Sequence, residues 1–188
     1  MSENHFHPFP TFETQRLRID RLIALDAQRL YELRTSDDVM RYVERPRPES
    51  VAKALETIQQ TDELIESGNG IAWAIRLKTS PDLIGIIGFW RMKREHFRAE
   101  IGYMLLPKYW RQGITSEAMA AILDYAFNVL NLHSVEADIN PENTGSKQIL
   151  LKSGFSKEAY FRENFFWQGK FYDSEIYGIL ASEFNARK

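Results

Sequence analysis

The chain has 188 residues, 44% of them hydrophobic and 27% charged, a balance that fits one globular domain with a sizeable core and excludes a disordered or fibrous protein. A net charge of -2 excludes binding to nucleic acid through a strongly basic face, because neutralising phosphates needs clustered Lys and Arg. No cysteine is present, which removes disulfides, thiolate metal sites and any cysteine nucleophile.

Residues 1–11 read as a flexible lead-in. Arg16 to Arg21 alternates, with Leu17 and Ile19 on one parity, and predicts a strand. Leu25 to Thr35 predicts a helix. Ser36 followed by Asp37 and Asp38 has the form of an N-cap with first-turn acids, opening a short second helix that Pro46 and Pro48 must close. From Glu49 to Ser67, Val51, Leu55, Ile58 and Ile65 recur at near-helical spacing, and Gly68 is a natural C-cap. The period then changes. Ala72 to Lys78 and Leu83 to Met92 are strand-like runs joined by Thr79-Ser80-Pro81-Asp82, a turn sequence, and so predict a hairpin. Glu100 to Leu106 is a third run, ended by Pro107. After a glycine-containing turn, Ser116 to Leu130 is an amphipathic helix. Ser134 to Ile139 is a strand and Thr144 to Ser153 a helix stopped by Gly154. Phe155 to Leu180 holds two aromatic-rich strands around Gln168-Gly169-Lys170. With no internal repeat and no break in composition, residues 12–182 form one domain and 183–188 a tail.

The four histidines, His5, His7, His96 and His133, show no paired ligand spacing, so no metal is expected. No apolar run reaches the roughly 18 residues that span a bilayer, and MSENHFHPFP lacks the parts of a signal peptide. The expectation is a cytoplasmic protein with neither membrane nor nucleic acid as partner, monomeric or homodimeric.

The most informative segment is Tyr109-Trp110-Arg111-Gln112-Gly113-Ile114-Thr115-Ser116-Glu117-Ala118, set between a strand and a helix. A helix N-terminus offers unsatisfied N–H groups and a partial positive charge, so a tight turn there can cradle a phosphate. Gly113 lets the backbone approach without a Cβ, and Thr115 or Ser116 can cap the helix or donate a hydroxyl. A plain connection would use the same residues. The glycine motifs of nucleotide hydrolysis and dinucleotide binding are absent.

This segment resembles the coenzyme A pyrophosphate loop of the GNAT acetyltransferases, and Trp110 in it resembles the branch that acetylates N-termini of ribosomal proteins. Ala99-Glu100-Ile101-Gly102-Tyr103, Asn140-Pro141-Glu142-Asn143-Thr144-Gly145-Ser146 and Leu151-Lys152-Ser153-Gly154-Phe155 agree in order and spacing, so the resemblance covers roughly residues 12 to 182. Trp110 departs from the Gln or Arg of many members, and Thr115 from a small Gly or Ala. The resemblance implies an α/β fold with a mixed, twisted sheet of about six or seven strands and helices on both faces. It implies acetyl-CoA as cosubstrate, without a metal, its pyrophosphate on the amides of Arg111, Gln112, Gly113, Ile114, Thr115 and Ser116. The pantetheine arm would lie along Met104-Leu105-Leu106, where a free backbone N–H can polarise the thioester carbonyl, and would touch Asn143, whose other reading is a helix cap.

An amine must lose a proton to attack, and a carboxylate can accept it. Glu100 matches the family glutamate that does so, though it could equally be a strand-start residue paired with Arg98. Glu136 and Asp138, two apart, share one face of the next strand and are reserve bases. The tyrosine that many members use against the leaving thiolate is replaced by Leu150. The ribosomal branch implies Ser146 instead, which could also be an ordinary first-turn residue. Tyr103, Tyr160, Phe161, Phe165, Phe166 and Trp167 read as core and acceptor-channel wall. Lys108, Arg111 and Lys152 could steer the anionic cosubstrate. Without cysteine, transfer would be direct, both substrates bound together. The acceptor implied by the branch is a ribosomal protein or peptide N-terminus; a polyamine, amino sugar or antibiotic, or a silent acyl-CoA-binding module, are the alternatives.

Overall fold

Alternation along two central strands sets the layers. In the computed structural model, which describes residues 6–186, β3 (Ile71–Leu77) and β4 (Leu83–Lys93) are apolar on both faces. Ile71, Trp73, Ile75, Ile87 and Phe89 pack with Ala118, Met119 and Ile122 of helix α4 (Ile114–Asn128). Ala72, Ala74 and Ile86 turn the other way, onto Leu30 and Leu33 of α1 (Ala27–Thr35) and Ala54 and Ile58 of α3 (Val51–Glu66). A strand reads as a continuous hydrophobic run when helices cover both of its faces, and that is the case here. A short helix α2 (Asp37–Met40) follows α1.

The remaining strands are β1 (Phe12–Glu13), β2 (Leu17–Arg21), β5 (Arg98–Leu105), β6 (Ser134–Ile139), β7 (Ser156–Trp167) and β8 (Lys170–Leu180). They form one sheet in the order β1-β2-β3-β4-β5-β6-β8-β7. The count is eight strands rather than six or seven; the additional one is Phe12–Glu13, too short to show a period in sequence. Helix α5 (Thr144–Ser153) keeps its expected bounds, and a last turn of helix, α6 (Ala181–Asn185), follows β8. The helix expected from Ser116 begins at Ile114.

The lead-in differs from expectation. His5 and the rest of residues 1–5, like Arg187 and Lys188 of the tail, lie outside the described residues. From Phe6 onward the chain is packed: Phe6 is fully buried, Phe9 and Phe12 tilt against Trp73, and the Trp73 indole donates to the Pro10 carbonyl at 2.8 Å. Aromatic rings buried on a core of this kind outweigh the polar character of the segment.

Arg76 is buried on the α1/α3 face. Its guanidinium donates to both carboxylate oxygens of Asp26 at 2.7 Å and to Asp20 at 2.8 Å. The fork tying β2, β3 and the turn before α1 is thus fully partnered, as a buried charge requires.

The feature that positions the site is a split in the sheet. β5 and β6 are its one parallel pair among the described residues, matched only at Arg98 with Ser134, Ala99 with Val135 and Glu100 with Glu136. β5 stays paired to β4 as far as Leu105, and β6 to β8 as far as Ile139. Beyond Glu100 the two strands therefore part, and the edge of β5 facing β6 loses its strand partner.

Candidate active site

A cavity of about 330 Å³ occupies this split. Its wall is drawn from both faces of the sheet: Tyr103, Asn143 and Ser146 on the α5 side, and Leu30, Thr57 and Thr61 of α1 and α3 on the other.

At the end of β5, the Trp110 indole donates to the Leu105 carbonyl at 2.6 Å and fastens the next loop to the strand edge. Arg111 and Gly113 both take left-handed backbone, φ 59° and 75°, and Gly113 is the N-cap of α4 without any side-chain cap bond. The first amides of α4 are therefore left without a side-chain acceptor, in the form a phosphate-binding turn needs. Thr115 does not cap the helix, as the sequence allowed; it is inside the first turn and buried. Arg16 holds the loop from behind, donating to the Gln112 carbonyl at 2.8 Å and to Glu117 at 2.7 Å.

The carboxylates separate by environment. Glu100 is ion-paired with Arg91 at 2.8 Å, and Arg98 reaches Glu136 at 2.5 Å instead of Glu100. Asp138 lines the cavity with Glu100, whereas Glu136 does not belong to its wall. Asp138 is exposed within the cavity, yet the enclosing walls strip enough water to push its carboxyl above the usual carboxylate range. A hydrogen bond with Ser174 opposes that shift, and the Glu100 charge adds to it.

Across the split, the Ser146 hydroxyl stands 2.7 Å from the Tyr103 phenol. Asn143 caps α5 by accepting from the Ser146 N–H at 3.0 Å, which fixes the serine in the first turn. Burial drives the Tyr103 phenol far above its ordinary value, against the smaller effect of its bond to Ser146, so it stays protonated. Tyr103 lies three residues from Glu100 and so on the other face of β5. Its pairing with a serine 43 residues later leaves no signal in sequence.

Of the proposed cosubstrate residues, Met104 and Asn143 line the cavity, Leu105 is bound by Trp110 and the Leu106 N–H donates to the Ile84 carbonyl at 2.9 Å. Arg111, Gln112 and Gly113 are exposed, Ile114 is buried and Ser116 is half-buried. The aromatic residues of the tail depart from the expected role. Tyr160, Phe161, Phe165 and Phe166 are exposed on the outer hairpin, and of these only Phe165 joins the cavity wall. Tyr42, Glu44 and Arg45, from a segment read only as the end of a helix, line the cavity instead, and Glu44 accepts from Asn140 at 2.9 Å.

A parallel strand pair that parts beside a left-handed turn at a helix N-terminus is the frame of a coenzyme A dependent acyltransferase. Residues 16–156 match the model of the acetyltransferase (GNAT) domain, and the chain belongs to that family. It is therefore an acetyl-CoA dependent N-acetyltransferase. The uncharacterized N-acetyltransferase YoaA of Bacillus subtilis is 36% identical over 172 residues, 92% of this chain and 97% of that one. Spermidine N(1)-acetyltransferase of Escherichia coli is 31% identical over 46% of this chain and 47% of its own length. The uS5-alanine N-acetyltransferase of the same species is 26% identical over 65% of this chain and 63% of its own. Among solved structures, a GNAT acetyltransferase from Bacillus anthracis superposes with a TM-score of 0.82 at 28% identity, covering 93% of this chain and all of that one. Spermidine N-acetyltransferase of Vibrio cholerae, solved with CoA and spermine, gives 0.80 at 23%, covering 92% and 99%, a likeness of fold. Among the described residues no helix is long and apolar enough to cross a membrane, and no three His, Asp or Glu side chains gather as metal ligands.

Proposed function

We propose that the chain transfers the acetyl group of acetyl-CoA directly to the primary amine at the N-terminus of a peptide or protein. The observation that carries this reading is the opposition of Asp138 and the Tyr103–Ser146 pair across the β5/β6 split, both in one cavity wall. The pyrophosphate rests on the amides of Arg111 to Ser116 at the start of α4, and the pantetheine arm runs along Met104 to Leu106 at the free edge of β5. A backbone N–H on that edge holds the developing oxyanion.

The amine arrives from the α1/α3 side as an ammonium ion and must lose one proton before attack. Asp138 takes it, directly or through one water. The raised proton affinity of Asp138 suits a base better than Glu100, whose charge Arg91 already balances. Glu100 acts by keeping the Asp138 carboxyl high. As the tetrahedral intermediate collapses the C–S bond breaks, and the proton shed by the new amide nitrogen passes to the leaving sulfur through the Ser146 hydroxyl, which takes one proton as it gives one and which the Tyr103 phenol holds in place. Thiols ionise near 8.5, so this help is modest. Asn143 sets the serine by capping its helix.

The test is a panel of short peptides with free N-termini beside spermidine and amino sugars, reading coenzyme A thiol release. Turnover highest on peptides is the expected result. A preference for spermidine would replace the acceptor, and silence toward every amine despite acetyl-CoA binding would leave only a binding module.

A further inference from the structure

Among the described residues, two arginines of the cavity form no ion pair with an acid. Arg34, on α1, lines the cavity and its Nε is buried without a hydrogen bond. Arg45 lines the same wall from the segment after α2, and also a second cavity of about 350 Å³ that reaches Trp167 and Tyr172 on the outer hairpin. Their neighbours are treated differently: Arg41 is paired with Asp38 at 3.0 Å and Arg47 with Asp37 at 2.5 Å. The third cavity arginine, Arg91, is held by Glu100.

Burial, and then the Arg45 cation, push the Arg34 guanidinium below its usual value, with no carboxylate offsetting them. Asp138 feels the charges of Glu100, Arg91 and Glu44, whereas the charge that acts on Arg34 is that of Arg45. The cavity is thus bipolar: carboxylates gather at the sheet split, and an uncompensated pair of cations stands on the α1 side. A half-buried guanidinium with a free Nε–H beside a second cation is costly unless an anion joins it, and its planar fork matches a carboxylate. A polycation would meet repulsion there.

Building on the proposed acceptor amine, we infer that the acceptor also carries a carboxylate close to that amine, and that Arg34 and Arg45 bind it while the amine lies at Asp138. On a peptide, this is an acidic side chain in the first residues; on a free amino acid, it is the α-carboxylate.

The experiment compares Ala-Asp and Ala-Asn peptides of otherwise one sequence, free aspartate and spermidine, on the wild type, Arg34→Gln and Arg45→Gln. It reads kcat/KM for each acceptor and, by calorimetry, peptide binding to the CoA-loaded protein and acetyl-CoA affinity. The acidic peptide should be favoured over its amide twin by roughly ten- to a hundredfold, the scale of one charge-assisted hydrogen bond. Either substitution should shrink that ratio toward one without changing acetyl-CoA affinity. A similar preference for free aspartate supports the inference and names the amino acid as source. Equal use of the two peptides, or preference for spermidine, overturns it. So does a loss of acetyl-CoA affinity in Arg34→Gln, which would give the arginines to the cosubstrate. If no amine turns over, the proposed acetyl transfer to a peptide amine fails, and the calorimetric ratio still decides this inference. Arg45 is exposed, so Arg45→Gln keeps the test open should Arg34→Gln not fold.

Discussion

Replacing Gly113 by Val separates the phosphate role of the loop from its role in folding. Gly113 has φ 75°, and a Cβ built there meets only the Arg16 guanidinium, at an ordinary 3.5 Å. The folded state therefore bears backbone strain and no collision. A side chain in left-handed backbone costs about 1–2 kcal/mol, which in a domain of this size lowers Tm by about 2–8 °C. On the proposed role the cosubstrate should suffer more, because a side chain that resists left-handed backbone shifts the turn whose amides would hold the pyrophosphate. Losing one charge-assisted amide–phosphate bond, worth roughly 1.5–3 kcal/mol, weakens Kd by roughly 10- to 150-fold. Gly169→Val is the matched control. Gly169 also has positive φ, 80°, with nothing within 4 Å of an added Cβ, but it turns the outer hairpin. It should show the same fall in Tm and unchanged affinity. Calorimetric titration with acetyl-CoA, beside thermal melts, measures both. Equal affinities in folded Gly113→Val and Gly169→Val would refute the reasoning and make the loop a connector.

Asp138→Asn should lower kcat about 10²-fold or more with acetyl-CoA affinity intact, the loss shrinking at high pH where the amine is already free. Because the deprotonated form is the base and its carboxyl is raised, wild-type kcat/KM should rise with pH through a limb above the ordinary carboxylate range. Glu100→Gln removes a like charge and frees Arg91, so that limb should move to lower pH with activity retained; a full loss in Glu100→Gln with an active Asp138→Asn would make Glu100 the base. Asp26→Ala takes both of its carboxylate bonds from the buried Arg76 fork and leaves Asp20 as the paired acid, so it should cost about 1.5–3 kcal/mol in urea unfolding; a change below about 1 kcal/mol would show that water repartners the arginine.

The sequence by itself determined the elements. Period changes marked β3, β4 and α5, because covered strands and helices force apolar residues into 2-fold and 3.6-fold repeats. The turn before α4 was also legible, since Gly113 and its flanking residues are local chemistry. The surroundings of the other candidate residues are set only by the tertiary structure. Glu100 and Asp138 look alike in sequence, and what separates them is an ion pair from Arg91 on another strand and water stripped by the cavity walls. Tyr103 met Ser146 across 43 residues. The aromatic tail faced outward because β7 is an edge strand, while Arg34 and Arg45 share a cavity wall and, among the described residues, neither forms an ion pair with an acid. Backbone period is set by neighbours along the chain, but the charge state and company of a side chain are set by whatever the fold brings next to it.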